Sequence, residues 1–294
     1  MIITFIPSIF ALVMVSFVYW FLFSRKKIFL ELVAFSKNKL SKPEIALLYL
    51  GSAILFLSIW DIVSKMEPEG INKVPCPVEV LKAFISLIIS GQLLYETWFS
   101  LSRILIGFTL ASFVGIACGL LAGSYLFINH LIVPVNSFLR YIPPTAFISL
   151  LIVYFGIGET YKYAVIFLGV IFFIIQMIID IVDDLDKRYL EMGLTSGLSQ
   201  WQMFKKVIVP FAWPRIFDVL RINLSASWTF LVAAEIVGAD RGLGHLIAIS
   251  QRYLRIENLF VGILTFGIIG VITDRLLDFT SRKLFRWYYI TLRR

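Results

Sequence analysis

Residues 162–181 read KYAVIFLGVIFFIIQMIIDI, a stretch in which hydrophobic side chains fill almost every position. A helix needs about 20 apolar residues to cross a hydrocarbon core of about 30 Å. The stretch therefore predicts a transmembrane helix. Runs of similar length predict six further spans, which are Ile2 to Phe23, Ile45 to about Ser64, 103–123, 131–155, 217–238 and 259–280.

The composition places the whole chain in the membrane class. Of its 294 residues, 59% are hydrophobic and 16% are charged, and the mean hydropathy is +0.88. A soluble domain carries about 45–50% apolar and about 25% charged residues. The composition thus excludes a soluble enzyme, a disordered chain and a disulfide-rich secreted domain. It predicts an all-α polytopic membrane protein in a lipid bilayer.

The first apolar run predicts a retained anchor over residues 1–24. It has no basic start and no cleavage site, and it ends in Ser24-Arg25-Lys26-Lys27, which is typical of a stop-transfer flank. Residues 25–44 form a basic linker, and 45–294 form the main membrane domain.

The basic residues predict the orientation. Lys and Arg number six in 25–44, five in 183–215 and five in the C-terminal tail, sixteen in all, against six in the remaining loops. Basic loops face the cytoplasm. The C-terminus and the linker are therefore predicted to be cytoplasmic and the N-terminus external, and the net charge of +8 reflects topology rather than nucleic-acid binding.

The segment from Pro75 to Ser100 is amphipathic, with Lys82, Gln92 and Glu96 on a mostly apolar ribbon. These polar interruptions favour a segment that lies along the outer interface. A plain extracellular loop is the alternative.

Residues 183–215 predict a helical hairpin between two spans. Asp183, Asp184 and Asp186 suit the first turn of a helix, where carboxylates face the positive end of the helix dipole. Gly197 suits the end of that helix, and Ser199 suits the N-cap of a second one.

The second helix of the hairpin places Trp201, Phe204 and Ile208 on one face and ends at Pro210. Such a surface can dock another protein. A helix that only rests on lipid headgroups is the alternative, and the residues alone leave both open.

No stretch carries the chemistry of an enzyme. A phosphate-binding loop with its lysine and a serine nucleophile elbow are both absent from the sequence. His130 and His245 lie far apart, and Cys76 and Cys118 lack metal-ligand spacing. The sequence predicts no catalytic residue, no metal site and no cofactor on this chain.

Polar residues inside spans are candidates for a translocation path, because they are costly in lipid and usually face a cavity or a partner helix. Asn223, Ser227 and Thr229 lie in the 217–238 span, for which tight packing through small residues is the alternative. A second set surrounds a Pro-Pro break that frees backbone groups, and its candidate gate residues are Tyr141, Pro143, Pro144 and Thr145. For Arg103 and Glu235 we expect a partner or a structural hydrogen-bond role.

The hairpin resembles the EAA motif of bacterial ABC importer permeases, which is Glu-Ala-Ala, three residues, Gly, nine residues and Ile-x-Leu-Pro. The residues in that register are Glu191, Gly197, Val207, Val209 and Pro210, while Met192 and Gly193 replace the two alanines.

Further blocks resemble the nitrate, sulfonate, taurine and bicarbonate uptake group of these permeases. In chain order they are Pro75–Leu81, Ser102–Phe108, Arg140–Ala146, Tyr154–Glu159, Leu231–Glu235 and Arg241–Gly244. The resemblance covers about 45–285. The anchor departs from it, because the group usually has six spans.

The resemblance implies a six-helix type I ABC importer permease core with one extra N-terminal transmembrane helix, in the cell inner membrane. Two permease copies would pair, a solute-binding protein would deliver a small anion, and separate ATPase subunits would bind ATP and Mg. The residues implied in ATPase coupling are Glu191, Gly197, Leu198, Ser199, Trp201, Phe204, Lys205 and Pro210.

Two other functions stay open at this stage. An ion-coupled secondary transporter would show inverted repeats and paired intramembrane carboxylates, and neither pattern is visible in the sequence. A nonconducting membrane assembly protein would leave the Pro-Pro break and the polar 217–238 span without a role.

Overall fold

The structure is a computed structural model that describes residues 42–66 and 74–291. The predicted anchor over 1–24 and residues 25–41 of the predicted linker lie outside these residues. The first described helix already begins at Lys42, because Pro43 is tolerated in the first turn of a helix, where its missing N–H needs no partner.

The described residues form twelve α-helices and no strand. In chain order they are α1 (Lys42–Met66), α2 (Pro77–Ile89), α3 (Gln92–Ser124), α4 (Leu126–Arg140), α5 (Phe147–Phe155), α6 (Thr160–Asp183), α7 (Lys187–Thr195), α8 (Gln200–Met203), α9 (Val209–Gly238), α10 (Leu243–Arg252), α11 (Ile256–Leu284) and α12 (Arg286–Thr291).

The predicted six-span core is confirmed. Helices α1, α3, α6, α9 and α11 are each long and apolar enough to cross a membrane. The sixth span is the pair α4 and α5, which is bent by 77°. The bend contains Pro143 and a 3₁₀ turn over Pro144–Ala146, where the sequence predicted a break.

The chain divides into two compact units, and the described part of the smaller one comprises residues 42–66, 74–86 and 253–261. Inside it, the ring of Trp60 stacks on that of Phe260 with centroids 5.5 Å apart. The Trp60 indole N–H also donates to the carbonyl of Pro75 at 3.0 Å.

The core of the larger unit is formed mainly by α3, α6 and α9. Small residues on α3 let α6 approach closely, because a Cβ on Gly115 or Gly119 would lie within 2.8 Å of Ile174 or Ile178. Gly107 and Gly123 meet Ile166 and Val182 in the same way, so the two helices run parallel at a constant register. Small residues of this kind are typical of helix contacts in membranes.

The predicted interfacial segment over 75–100 does not form a single element. The polypeptide turns at Gly91, whose φ is +76°, and α3 begins directly after it at Gln92. No helix-breaking residue lies between Gln92 and Arg103, so the residues up to Ser100 belong to the span itself. The third predicted span therefore starts about three turns earlier than its apolar run indicates.

Candidate functional site

The hairpin begins with a side-chain cap. The Asp186 carboxylate accepts from the Arg188 backbone N–H at 3.0 Å and starts α7, as predicted. The Arg188 side chain, which also donates to this carboxylate, lowers the pKa of Asp186. The prediction was wrong for Asp183 and Asp184, which end α6, because the apolar run of α6 continues without a breaker up to Val182.

The turn between the two helices follows the predicted pattern. Helix α7 ends at Thr195, and Gly197 adopts a left-handed conformation with φ +73°. Ser199 then caps α8 through two reciprocal bonds, because its hydroxyl accepts from the Gln202 backbone and its own N–H donates to the Gln202 side chain. This capping box fixes the orientation of α8 against the turn.

The two departures from the EAA pattern have different consequences. Gly193 is buried beneath Met203, and a Cβ at this position would collide with the Met203 thioether. Met192 is exposed and does not disturb the hairpin. The glycine therefore leaves room for the Met203 side chain against α7.

The outer surface of the hairpin combines aromatic and charged groups. The rings of Trp201 and Phe204 stack with centroids 5.4 Å apart, and Trp201 is 61% exposed. Ile208, predicted to share their face, is buried in the core instead. The other residues implied in coupling are exposed at Glu191, Gly197, Ser199, Lys205 and Pro210 and half-buried at Leu198.

The hairpin continues into the membrane without a break. A π-helical turn over Phe204–Ile208 joins α8 to α9, and together they form one helix over Gln200–Gly238. The prediction that Pro210 ends the second helix is therefore wrong. Pro210 lies in the first turn of α9, and the wider π turn before it accommodates a residue without an N–H.

A buried ionic cluster joins the first turns of α3, the start of α6 and the end of α9. It lies at the opposite end of α6 and α9 from the hairpin. The guanidinium of Arg103 donates to Glu235 at 2.7 Å, to both carboxylate oxygens of Glu159 at 2.5 and 2.7 Å, and to the Arg241 carbonyl at 2.6 Å. The sequence predicted a partner for Arg103 and for Glu235, and the structure pairs them.

Backbone N–H groups complete the cluster. Glu235 accepts from the Ser100 hydroxyl at 2.8 Å and from the Gly244 N–H at 2.7 Å, while Glu96 accepts from the Gly242 N–H at 2.5 Å. Both glycines are required sterically, because a Cβ on either would lie within 2.6 Å of Glu235 atoms. The cluster thus ties the turn after α9 to the first part of α3.

Arg103 also determines the charge state of Glu159, which precedes the first residue of α6. Hydrogen bonds from Arg103 lower the pKa of Glu159 to about 2, and Lys162, which donates to it at 2.9 Å, acts in the same direction. Glu159 is therefore ionised at neutral pH.

Sequence reasoning missed Glu96 and Ser100 as members of the cluster. Together with Arg103 they occupy positions i, i+4 and i+7, which share one face of a helix. The pattern was obscured because the sequence predicted an interfacial segment for the first two residues. Glu159, Gly242 and Gly244 appear in the sequence analysis only within the segments that resemble the permease group, and no role was predicted for them.

The three candidate path residues of α9 differ in burial. Asn223 and Ser227 are buried, and their side chains donate to the carbonyls of Val219 and Asn223 in their own helix. Thr229 is exposed.

The candidate gate residues are mostly accessible. Tyr141, Pro143 and Thr145 are exposed, and Pro144 is half-buried. The 3₁₀ turn over Pro144–Ala146 packs against α6 and α9. The gate residues therefore lie beside two of the helices that form the core.

A second ionic network, also missed, joins α9 to α11. Arg221 donates to Asp274 at 2.9 Å and to Asp278 at 2.7 Å, and Arg282 donates to Asp278 at 2.8 Å. Charges inside predicted spans are thus neutralised by neighbouring helices.

Long apolar helices with a capped, exposed hairpin between the fourth and fifth spans are the architecture of a polytopic membrane protein. The chain belongs to the family of binding-protein-dependent transport system inner membrane components, whose family model matches residues 111–286.

Curated relatives agree with this assignment. A probable ABC transporter permease protein of Brucella melitensis is 37% identical over 76% of this chain and 90% of its own length. The nitrate import permease protein of Synechocystis is 31% identical over 83% of this chain and 91% of its own length. The taurine transport system permease protein of Escherichia coli is 28% identical over 82% of this chain and 90% of its own length. The predicted ABC permease function is confirmed.

Solved structures support the fold. The inward-facing methionine ABC transporter MetNI aligns with a TM-score of 0.56 at 21% identity, over 67% of this chain and 96% of that chain. A bacterial ABC transporter involved in alginate import aligns with a TM-score of 0.57 at 13% identity, over 83% of this chain and 94% of that chain. The ABC importer permease fold is therefore confirmed.

Proposed function

We propose that this permease imports a small oxyanion, that two copies pair across the membrane, and that separate cytoplasmic ATPase subunits drive them through the hairpin. The observation that carries the proposal is the continuity between the exposed α8 and the membrane span α9. A force applied to α8 would be transmitted to α9, because the two belong to one continuous helix.

The hairpin has the features of a docking element. Its aromatic pair, Trp201 and Phe204, offers an apolar anchor of the kind that dominates protein interfaces. The exposed Glu191 offers a carboxylate to a cationic group on the partner. Gly197 allows the sharp turn that presents both on one protrusion.

Charge supports a cytoplasmic position for the hairpin. The 183–215 stretch and the C-terminal tail each carry five Lys and Arg residues, which favours the cytoplasmic side for both. The Arg103 cluster then lies near the external face, where a solute-binding protein would deliver its ligand. ATP and Mg would be bound by the ATPase, and this chain would be a non-catalytic subunit of the inner membrane.

The substrate class is supported by the relatives. The names of these relatives refer to nitrate, taurine and aliphatic sulfonates, which all present negatively charged oxygens. Bicarbonate belongs to the same chemical class. We therefore propose a small oxyanion as the solute.

The test is reconstitution of the permease with its cognate ATPase and binding protein in proteoliposomes. We expect ATP-dependent uptake of nitrate, a sulfonate or bicarbonate. Replacing both Trp201 and Phe204 with alanine should abolish co-purification of the ATPase, while Trp98→Ala, at an exposed residue of α3, should not. Labelling of Lys205 from outside the cell, or unchanged uptake by the double variant, would overturn the proposal.

A further inference from the structure

Helix α11 presents an exposed stripe of apolar side chains that runs towards its C-terminal end. Ile268, Ile272 and Phe279 occupy positions i, i+4 and i+11, which share one face of a helix, and Phe279 is 65% exposed. The helix has 29 residues and is about 43 Å long, so it extends past a hydrocarbon core of about 30 Å. The stripe therefore continues from the hydrocarbon core towards the headgroup region.

Three exposed cations surround the end of this stripe. Arg275 and Lys283 lie four residues before and four residues after its last member, and Arg286 is the first residue of α12. Among the residues that the structure describes, their side chains form no ion pair and no hydrogen bond. The neighbouring Arg282, in contrast, donates to Asp278 at 2.8 Å. The chain thus neutralises one side of this helix end and leaves the other side positively charged.

Helix α12 is held firmly against the end of α11. Phe285, which lies between the two helices, is buried, and its ring packs edge-on against that of Phe217 with centroids 5.3 Å apart. The hydroxyl groups of Tyr289 and Ser281 lie 2.8 Å apart. Trp287 is 58% exposed, and tryptophan is enriched at membrane–water interfaces. The position of α12 therefore suits the boundary between the hydrocarbon core and the headgroups.

The chemistry of this surface favours a partner that is both anionic and apolar. Exposed cations without carboxylate partners attract negative charge, and the stripe beside them offers contact to a hydrocarbon chain. An acidic phospholipid combines the two properties, whereas a zwitterionic phospholipid carries its own cation. A second copy of this chain fits less well, because a symmetric contact across the stripe would bring the same cations together.

We propose that the C-terminal end of α11 and the start of α12 bind an acidic phospholipid. Lys283 and Arg286 donate to its phosphate, and its acyl chain lies along Ile272 and Phe279. Arg275 reaches from the span towards the same headgroup, as long basic side chains do near the ends of membrane helices. The inference does not depend on which solute the permease moves.

The test titrates the purified full-length permease in a nonionic detergent with phosphatidylglycerol or with phosphatidylcholine of the same acyl chains, and native mass spectrometry counts the bound lipids. We expect phosphatidylglycerol to bind more tightly. A basic residue near an anionic surface contributes about fivefold in affinity, so the double variant Lys283→Gln with Arg286→Gln should bind phosphatidylglycerol about 25-fold more weakly. Its affinity for phosphatidylcholine should stay unchanged, which also shows that the variant is folded.

The matched control is the double variant Lys187→Gln with Arg188→Gln, which removes the same charge from exposed residues of the hairpin and should bind phosphatidylglycerol normally. Equal losses of affinity in the two double variants would overturn the inference, because they would indicate a general effect of charge. Equal affinities of the unsubstituted permease for the two lipids would also overturn it. So would displacement of the lipid by inorganic phosphate at the same concentration, which indicates a site for a free anion. Dissociation of a permease dimer by the first double variant, with lipid binding unchanged, would assign the surface to a second copy instead.

Discussion

Arg103 and Glu235 form an ion pair at 2.7 Å in which each residue exposes only 1% of its surface. Removing such charges from water costs several kcal/mol per ion, and attraction offsets this only when the remaining donors and acceptors are also bonded. Here Glu159 binds the other guanidinium N–H groups, and Ser100 and Gly244 bind the carboxylate. The members of the cluster therefore depend on one another.

The first prediction concerns the loss of the guanidinium. Arg103→Met leaves the buried Glu235 without its guanidinium partner, so the free energy of unfolding should fall by about 3–5 kcal/mol. The melting temperature of the purified permease in detergent measures this. Arg188→Met removes a guanidinium whose side chain is 83% exposed, and it should have little effect. Equal melting temperatures for the two variants would contradict the prediction.

The second prediction tests the close approach of the turn after α9. A Cβ on Gly244 would lie 2.6 Å from the Glu235 Cβ, so Gly244→Ala should push the turn away and lower the free energy of unfolding by about 1–3 kcal/mol. Gly158→Ala is the matched control, because nothing lies within 4 Å of its Cβ position. Thermal unfolding of both variants should separate them, and a stable Gly244→Ala would show that the turn is not tightly held.

The third prediction is a pH dependence. The pKa of Glu159 falls from 4.5 to about 2 in the folded protein, so its carboxylate stabilises the fold fully above about pH 4.5. That contribution is lost as the pH falls from 4.5 towards 2. The difference in melting temperature between the unsubstituted permease and Glu159→Gln should be largest at pH 6 and shrink at pH 3. A difference that stayed constant from pH 6 to pH 3 would contradict the prediction.

Local sequence patterns predicted much of this molecule. The spans follow from apolar runs, and the turn of the hairpin follows from Gly197 and Ser199, whose effects act within a few residues. The error at Pro210 has a local cause too, because a proline ends one helix or begins the next depending on the turn before it. A π turn is not readable from residue types alone.

The ionic cluster could not be predicted in full because its partners are distant in sequence. Ser100 and Glu235 are 135 residues apart, and Glu96 and Gly242 are 146 apart. A single sequence shows that Arg103 needs a partner in the membrane but gives no means of choosing between Glu159 and Glu235. The structure shows that it takes both.

The last prediction concerns the interior of the hairpin. Gly193 lies beneath the terminal methyl of Met203, so Gly193→Val would displace the Met203 side chain and loosen the packing of α7 against α8. Under the proposed function the ATPase would then bind a hairpin whose two helices, α7 and α8, no longer move together. We expect ATP-dependent solute uptake to fall several-fold, by more than the ATPase activity falls, because docking through Trp201 survives while transmission to α9 is weakened. Met192→Val, at the exposed neighbouring position, should leave uptake unchanged. If Gly193→Val reduced hydrolysis and uptake in equal proportion, the interior contact would be serving docking and not the movement of α9.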